Sequence, residues 1–295
     1  KISMKQIKIG TCVPGAKAEE WLKGFAGKGF ETFSINFHMS LEGTDLDKLA
    51  LNTEKILAGT DSKITTVGYY CNPIQYPEHR KTLEKVICTA EKFGATHVST
   101  FAGAWEGKPV ESAFEEFGKV FRELADLAEE KGVKLGIENC LMDGTWEHAT
   151  CNIGFNPKAW EVMFEEVKND NFGLEWEPTH QMVQLIDPVT ELRKWCKKIV
   201  HVHGKDATID WDAVRHGGIS GAVPFVWHRM PGFGDTNWRD IISILRSNGY
   251  EDDICIEGYH DPVYRGELEM TGQLHALNYL KWCRGGEFTP TPWEK

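Results

Sequence analysis

Eight times along the chain a short apolar run of strand character gives way to a longer segment with helical periodicity. The strand-like runs are residues 7–12, 30–37, 63–69, 97–101, 134–138, 172–177, 199–203 and 253–257. The segments between them carry one apolar face. In residues 78–93, Leu83, Val86, Ile87, Ala90 and Phe93 recur at the helical period. In the next segment Phe114, Phe117, Phe121, Leu124 and Leu127 form a stripe, with Glu115, Lys119, Arg122 and Asp126 opposite. Those phenylalanines are expected in the core, against a sheet. Thr44 is expected to cap the helix 45–58, Asn156-Pro157 and Asp187-Pro188 to open two further helices, and Gly249 to follow the helix 237–247. Parallel strands need a crossover each, and eight strand–helix units without a break in composition close into one (β/α)8 TIM barrel spanning residues 1–295. A doubly wound open sheet would instead carry a G-x-G-x-x-G loop after an early strand, and Gly103 and Gly107 lack that spacing.

Four of the runs end in a residue that can bind a metal: Gly136-Ile-Glu138-Asn139, Trp176-Glu177-Pro178, His201-Val-His203-Gly204 and Ile256-Glu257-Gly258. A parallel barrel gathers its strand ends on one face, so Glu138, Glu177, His203 and Glu257 are expected to converge there. Three hard oxygen donors and one nitrogen suit a single divalent ion, Mn²⁺, Mg²⁺, Co²⁺ or Zn²⁺, better than a thiol-rich structural zinc. Three carboxylates held close repel one another strongly, and a bound dication removes that penalty while keeping about two coordination positions for a hydroxy-ketone. By two-residue alternation Glu175 shares the face of Glu177, as a fallback ligand or a buried partner. His201 lies a layer below His203 and is expected to be a hydrogen-bonded core histidine.

Composition narrows the function classes. A formal charge of −11 argues against general affinity for nucleic acid, whose binding surfaces are basic. No run approaches the roughly 18 apolar residues of a membrane span. Eight cysteines stand at 12, 71, 88, 140, 151, 196, 255 and 283 with no Cys-x-x-Cys pair. They read as free thiols, which points to a cytoplasmic protein. The chain begins at Lys1, which leaves a removed leader open; Met4 could instead be the natural start.

The strings around the four residues, extended to Trp176-Glu177-Pro178-Thr179-His180 and His201-Val-His203-Gly-Lys205-Asp206, resemble the xylose-isomerase-like TIM-barrel superfamily of sugar isomerases, ketose 3-epimerases and sugar phosphate isomerase/epimerase relatives. Pro231-Gly-Phe-Gly234-Asp235 resembles that group's turn ahead of the seventh helix. The resemblance implies one divalent metal on Glu138, Glu177, His203 and Glu257, with His180 touching substrate. It also implies abstraction of a proton beside a carbonyl, through an enediolate that the metal stabilises, with Glu138 and Glu257 exchanging the proton on opposite substrate faces and His180 bonding or shuttling at a hydroxyl. The substrate implied is a small keto-sugar or polyol ketone, and a homo-oligomer is left open. This chain departs from the pattern twice: the strand-six ligand is usually Asp, and Gly258-Tyr259-His260-Asp261 replaces an acid-rich run.

Further substrate contacts are expected from Arg229 in the string Trp227-His228-Arg229-Met230, from His38, and from the strand-end aromatics Tyr70 and Trp105, with Tyr69, Trp146 and Asn72 as weaker candidates. Asp206 is expected to orient Lys205 or His203 by a hydrogen bond. The same first step followed by loss of a β-leaving group would give a lyase or dehydratase, as in inosose dehydratases or enzymes cleaving keto-glycosides. A metal-stabilised sugar-binding protein without catalysis is the alternative of another class. A DNA-repair branch of the superfamily needs His ligands after strands three and four, where this chain reads Tyr70-Cys71-Asn72 and Phe101-Ala-Gly-Ala-Trp105.

Overall fold

A computed structural model of the chain describes residues 5–293, so the readings of Lys1 and Met4 lie outside the described residues. The strands are β1 (Lys8–Pro14), β2 (Thr32–His38), β3 (Lys63–Tyr70), β4 (His97–Thr100), β5 (Lys134–Glu138), β6 (Phe172–Trp176), β7 (Ile199–Gly204), β8 (Asp206–Ile209), β9 (Val226–Arg229) and β10 (Asp253–Ile256). Eight of them close a parallel barrel in the order β1-β10-β7-β6-β5-β4-β3-β2. All eight expected runs supply a barrel strand, so the (β/α)8 expectation is met.

The helices α1 (Ala18–Phe25), α2 (Leu46–Leu57), α3 (Pro77–Thr89), α4 (Phe114–Glu130), α5 (Pro157–Glu166), α6 (Thr179–Met182), α7 (Pro188–Trp195), α8 (Trp211–Gly217), α9 (Trp238–Ser247) and α10 (Glu269–Cys283) surround or extend it. The α4 stripe packs as expected: Phe117, Phe121 and Leu124 are buried, and the two phenylalanine rings stack at 4.6 Å beside Phe172 of β6. Burial of each such ring contributes about 2–3 kcal/mol. Asn156 and Asp187 cap α5 and α7 by accepting backbone N–H groups, with proline at the first turn of each. The α2 cap is Asp45 rather than Thr44; its carboxylate accepts from the amides of Asp47 and Lys48 at 3.0 and 3.1 Å. Gly249, at φ +82°, follows α9.

The connection after β7 departs most from expectation. Read as a bare connection, it contains an antiparallel hairpin, β8 with β9, and α8 between its strands. Asp206, at the start of β8, organises the turn beyond the hairpin by accepting from the amides of Ala207 (2.8 Å), Thr236 (3.0 Å) and Gly232 (3.2 Å). Only glycine fits at 234, where a Cβ would come within 2.3 Å of the Asp206 carboxylate. The amide bonds to Asp206 tie the start of the hairpin, a flap at the C-terminal mouth of the barrel, to the turn that follows it.

Candidate metal and substrate site

Glu138 closes β5, Glu177 lies one residue past β6, His203 is in β7, and Glu257 lies one residue past β10. The local chain fixes the second of these. The Asn139 side chain accepts from the Glu177 amide at 2.8 Å and donates to its carbonyl at 2.9 Å, tying the ends of β5 and β6 together. The result is the expected convergence: the four side chains offer ligand atoms that all lie within 4.8 Å of one another. His203 Nδ1 is 3.1 Å from Glu138 Oε1, 3.5 Å from Glu257 Oε2 and 3.9 Å from Glu177 Oε2.

Glu138, His203 and Glu257 form the floor of a cavity of about 600 Å³ at the barrel mouth, a volume suited to a small polar molecule, while Glu177 is not part of its lining. Glu177 is fully buried, yet neither carboxylate oxygen has a hydrogen-bond partner among the described residues. Oε1 lies 2.8 Å from His180 Nε2 without hydrogen-bond geometry. A buried carboxylate in that condition is costly unless a cation completes it, and three oxygen donors with one imidazole make a donor set that a divalent ion fits. Two further groupings of potential ligands are Glu175 with His201 and His203, and His201 with Asp253 and Cys255; of these residues only His203 lines the cavity, and the others are buried and already in contact with one another.

The carboxyls of the floor are pushed apart in acidity. Burial, the largest influence, lifts Glu138 to about 7 although His203 pulls the other way. Burial also acts to raise Glu257, but Lys205 and then His203 outweigh it and hold that carboxyl well below the usual range. Lys205, itself buried, stands 3.2 Å from Glu257 Oε2. Burial first, then Lys205, holds His228 down at about 3, leaving a neutral imidazole at neutral pH.

The expected substrate contacts divide. His180, Tyr70 and His38 line the cavity. Arg229 does not: it pairs with Asp261 at 3.2 Å and lies over the Phe233 ring, because alternation along β9 sends it away while the preceding His228 faces the cavity. Trp105 packs on the core instead of the cavity wall. Asp206 spends its carboxylate on the three amides of the flap and not on Lys205 or His203, so its expected orienting role is corrected. Tyr69 donates to the Met39 carbonyl, Trp146 packs edge-on against Phe114, and Asn72 accepts from the amides of Ala104 and Gln75, so all three serve the scaffold. Glu175 is the buried partner of the two readings it was given, and His201 is the hydrogen-bonded core histidine expected.

Of the lysine and histidine side chains that line the cavity, Lys205, His228 and His260 went unassigned at the sequence level. The first was legible, because Lys205, one residue past β7, continues the alternation of His201 and His203. The other two stand on the flap and the loop after β10, where His180, His228 and His260 meet edge to face at 5.7 Å each.

Comparison with known proteins agrees with the barrel fold. A family model described as "Xylose isomerase-like TIM barrel" matches residues 25–281. An inosose dehydratase of Clostridium tetani is 26% identical over 227 residues, covering 74% of this chain and 72% of that one. A crystal structure of D-psicose 3-epimerase with D-fructose superposes with a TM-score of 0.71 at 14% identity, covering 95% of this chain and all (100%) of the other. The IOLI protein, solved with a zinc atom, superposes with a TM-score of 0.64 at 20% identity, covering 94% of this chain and 96% of the other. Among the described residues no helix is long and apolar enough to cross a membrane. The chain belongs to the xylose isomerase-like TIM-barrel family and is an enzyme of it.

Proposed function

We propose that this xylose isomerase-like barrel removes a proton from the carbon beside the carbonyl of a keto-sugar or related polyol ketone and returns it to give an isomer or epimer, using one divalent ion held by Glu138, Glu177, His203 and Glu257. The observation that carries the reading is the meeting of those four side chains, three of them on the floor of the cavity and the fourth, Glu177, a buried carboxylate whose oxygens have no hydrogen bond among the described residues. Mn²⁺, Mg²⁺, Co²⁺ or Zn²⁺ there would neutralise the carboxylates and polarise the carbonyl.

The chain's own groups do the proton work. Glu257, kept ionised by Lys205, takes the proton, and Glu138 across the floor delivers one to the other face. His180 and His228 hydrogen-bond substrate hydroxyls; the His228 Nδ1 is buried and has no partner among the described residues. Tyr70 and Phe101 give the substrate an apolar wall on the far side.

A second reading, loss of water after the same proton abstraction, is supported by the curated inosose dehydratases among the relatives and by the imidazole wall, which offers hydrogen bonds to a departing hydroxyl. Incubation of the metal-loaded protein with keto-sugars and keto-cyclitols in deuterated water, followed by NMR, tests both. Deuterium beside the carbonyl in a recovered isomer is the expected result, and an unsaturated product establishes the dehydratase. Tight metal binding with no exchange in any substrate overturns both in favour of a binding protein.

A further inference from the structure

Glu175 is wholly buried, and both its oxygens are occupied by groups of the barrel. Tyr70 Oη of β3 donates to Oε1 at 2.7 Å, and His203 Nε2 of β7 lies 3.3 Å from the same oxygen. Ser99 Oγ of β4 donates to Oε2 at 2.5 Å, and His201 Nδ1 of β7 lies 2.6 Å from it. Glu177, two residues on, shows the opposite condition, so the two neighbouring carboxylates are not interchangeable. One is surrounded by donors of the protein, and the other has no hydrogen-bond donor among the described residues.

The His203 ring stands between them. Its Nδ1 faces Glu138, Glu257 and Glu177; its Nε2 is in hydrogen-bonding contact with the Tyr70 hydroxyl at 3.4 Å and lies 3.3 Å from Glu175 Oε1, the oxygen to which that hydroxyl donates, so Glu175 faces the ring both directly and through Tyr70. An imidazole coordinates through a nitrogen that carries no proton, and the acceptor opposite the other nitrogen decides which one that is. We propose that Glu175 is the positioning residue that keeps the proton on His203 Nε2, so that Nδ1 presents its lone pair to the carboxylate cluster. The inference rests on the cluster being a cation site.

The fold has a specific device for this. The β6–β7 register shifts between Leu174 and Glu175: Leu174 pairs with Ile199, but Glu175 pairs with His201, skipping Val200. The extra residue turns Glu175 and His201 to the same inner face. Pairing then continues across the neighbouring strands, with Glu138 opposite Glu175. Because barrel strands tilt, partners one strand apart step along the axis, and the row descends from Glu138 at the mouth through Glu175 and His201 to Asp253, 3.3 Å from His201 Nε2. His201 is thereby held between two carboxylates and holds Glu175 in place.

The test measures Mn²⁺ and Zn²⁺ affinity of the full chain by calorimetry, the absorption bands of the Co²⁺ form, and the ring tautomer of His203 by long-range ¹H–¹⁵N NMR of the Zn²⁺ form. Glu175→Gln, with circular dichroism as the folding control, should weaken cation binding about 10- to 100-fold and shift the Co²⁺ bands. Ser99→Ala, which removes only one bond to Glu175 and lies below the cavity, should weaken it about threefold. Wild-type His203 should carry its proton on Nε2. A wild-type chain that takes up no cation overturns this inference together with the cation site. A wild-type chain that binds tightly, with Glu175→Gln binding equally tightly or with the His203 proton on Nδ1, overturns the role of Glu175 and leaves the cation site standing. Should Glu175→Gln not fold, the ring spectrum and Ser99→Ala decide.

Discussion

At the N-terminal end of the barrel, Asp253 accepts from Thr65 Oγ1 at 2.6 Å and lies 3.3 Å from His201, while Asp252 pairs with Lys134 at 2.6 Å and with His97 at 3.5 Å. At the C-terminal end, Glu177 is as deeply buried as any of them, and its oxygens find no hydrogen bond among the described residues. Both ends are built from carboxylates and imidazoles on the same tilted strands. At the lower end every charge has an opposite beside it, so the residues serve stability. At the upper end three carboxylates face His203, His180 and Lys205, yet Glu177 has no hydrogen bond among the described residues, an arrangement that raises the free energy of the folded chain unless something else joins the cluster. Barrels of this type place catalysis at one rim and stability at the other, and here the division can be seen within single strands: β7 carries His201 for the lower set and His203 for the upper.

Glu177→Gln is the strongest way to break that comparison. Losing a proposed metal ligand should lower kcat/KM by about 1,000-fold or more, since a catalytic metal supplies several kcal/mol of charge stabilisation. The same change should raise stability to urea in metal-free buffer by about 1–2 kcal/mol, because it relieves repulsion among the three clustered carboxylates. A variant destabilised in metal-free buffer would show that Glu177 belongs with the saturated set.

Asp253→Asn probes the other end. It removes the carboxylate from the buried pair with His201, and unfolding experiments should register a loss of about 3 kcal/mol. Cation affinity should stay within about threefold of wild type, since Glu175 keeps its three other partners. A fall as large as that of Glu175→Gln would mean that the row from mouth to floor acts as one unit, and the contrast between the ends would have to be redrawn.

What the sequence made legible follows the same division. The barrel was readable because strand and helix write different hydrophobic periods, two and 3.6, into the chain. The four mouth residues were readable because each ends an apolar run. The flap was not, since β8 and β9 are four residues each and largely half-exposed, which leaves little alternation to detect. Missing the hairpin cost its facing as well, so Arg229 was chosen where His228 faces the cavity. Asp206 went astray for another reason: its partners are backbone amides up to 30 residues distant, and only the path of the flap brings them to it. The pairing of Glu175 with His201 hinges on a one-residue register shift that no hydrophobic pattern records.

The smallest predicted effect sharpens the comparison through pH. Burial acts against ionisation of Asp252, but His97 and then Lys134 outweigh it and hold the carboxyl down at about 2. A carboxylate whose acidity is strengthened by folding contributes stability that is fully present above its unfolded value, about 3.9, and is lost as pH falls through the folded value. The window for this group is therefore between roughly pH 4 and 2. With the side chain 22% exposed and Lys134 44% exposed, the contribution is on the order of 1–2 kcal/mol. Urea unfolding from pH 6 to 2.5 should show a shallower acid limb for Asp252→Asn than for wild type, with the two curves closest at the lowest pH, where the wild-type carboxylate has begun to take up its proton. Parallel curves over that range would mean that Asp252 is no more acidic folded than unfolded, and the lower end would then owe its stability to the buried His201–Asp253 pair without help from its rim.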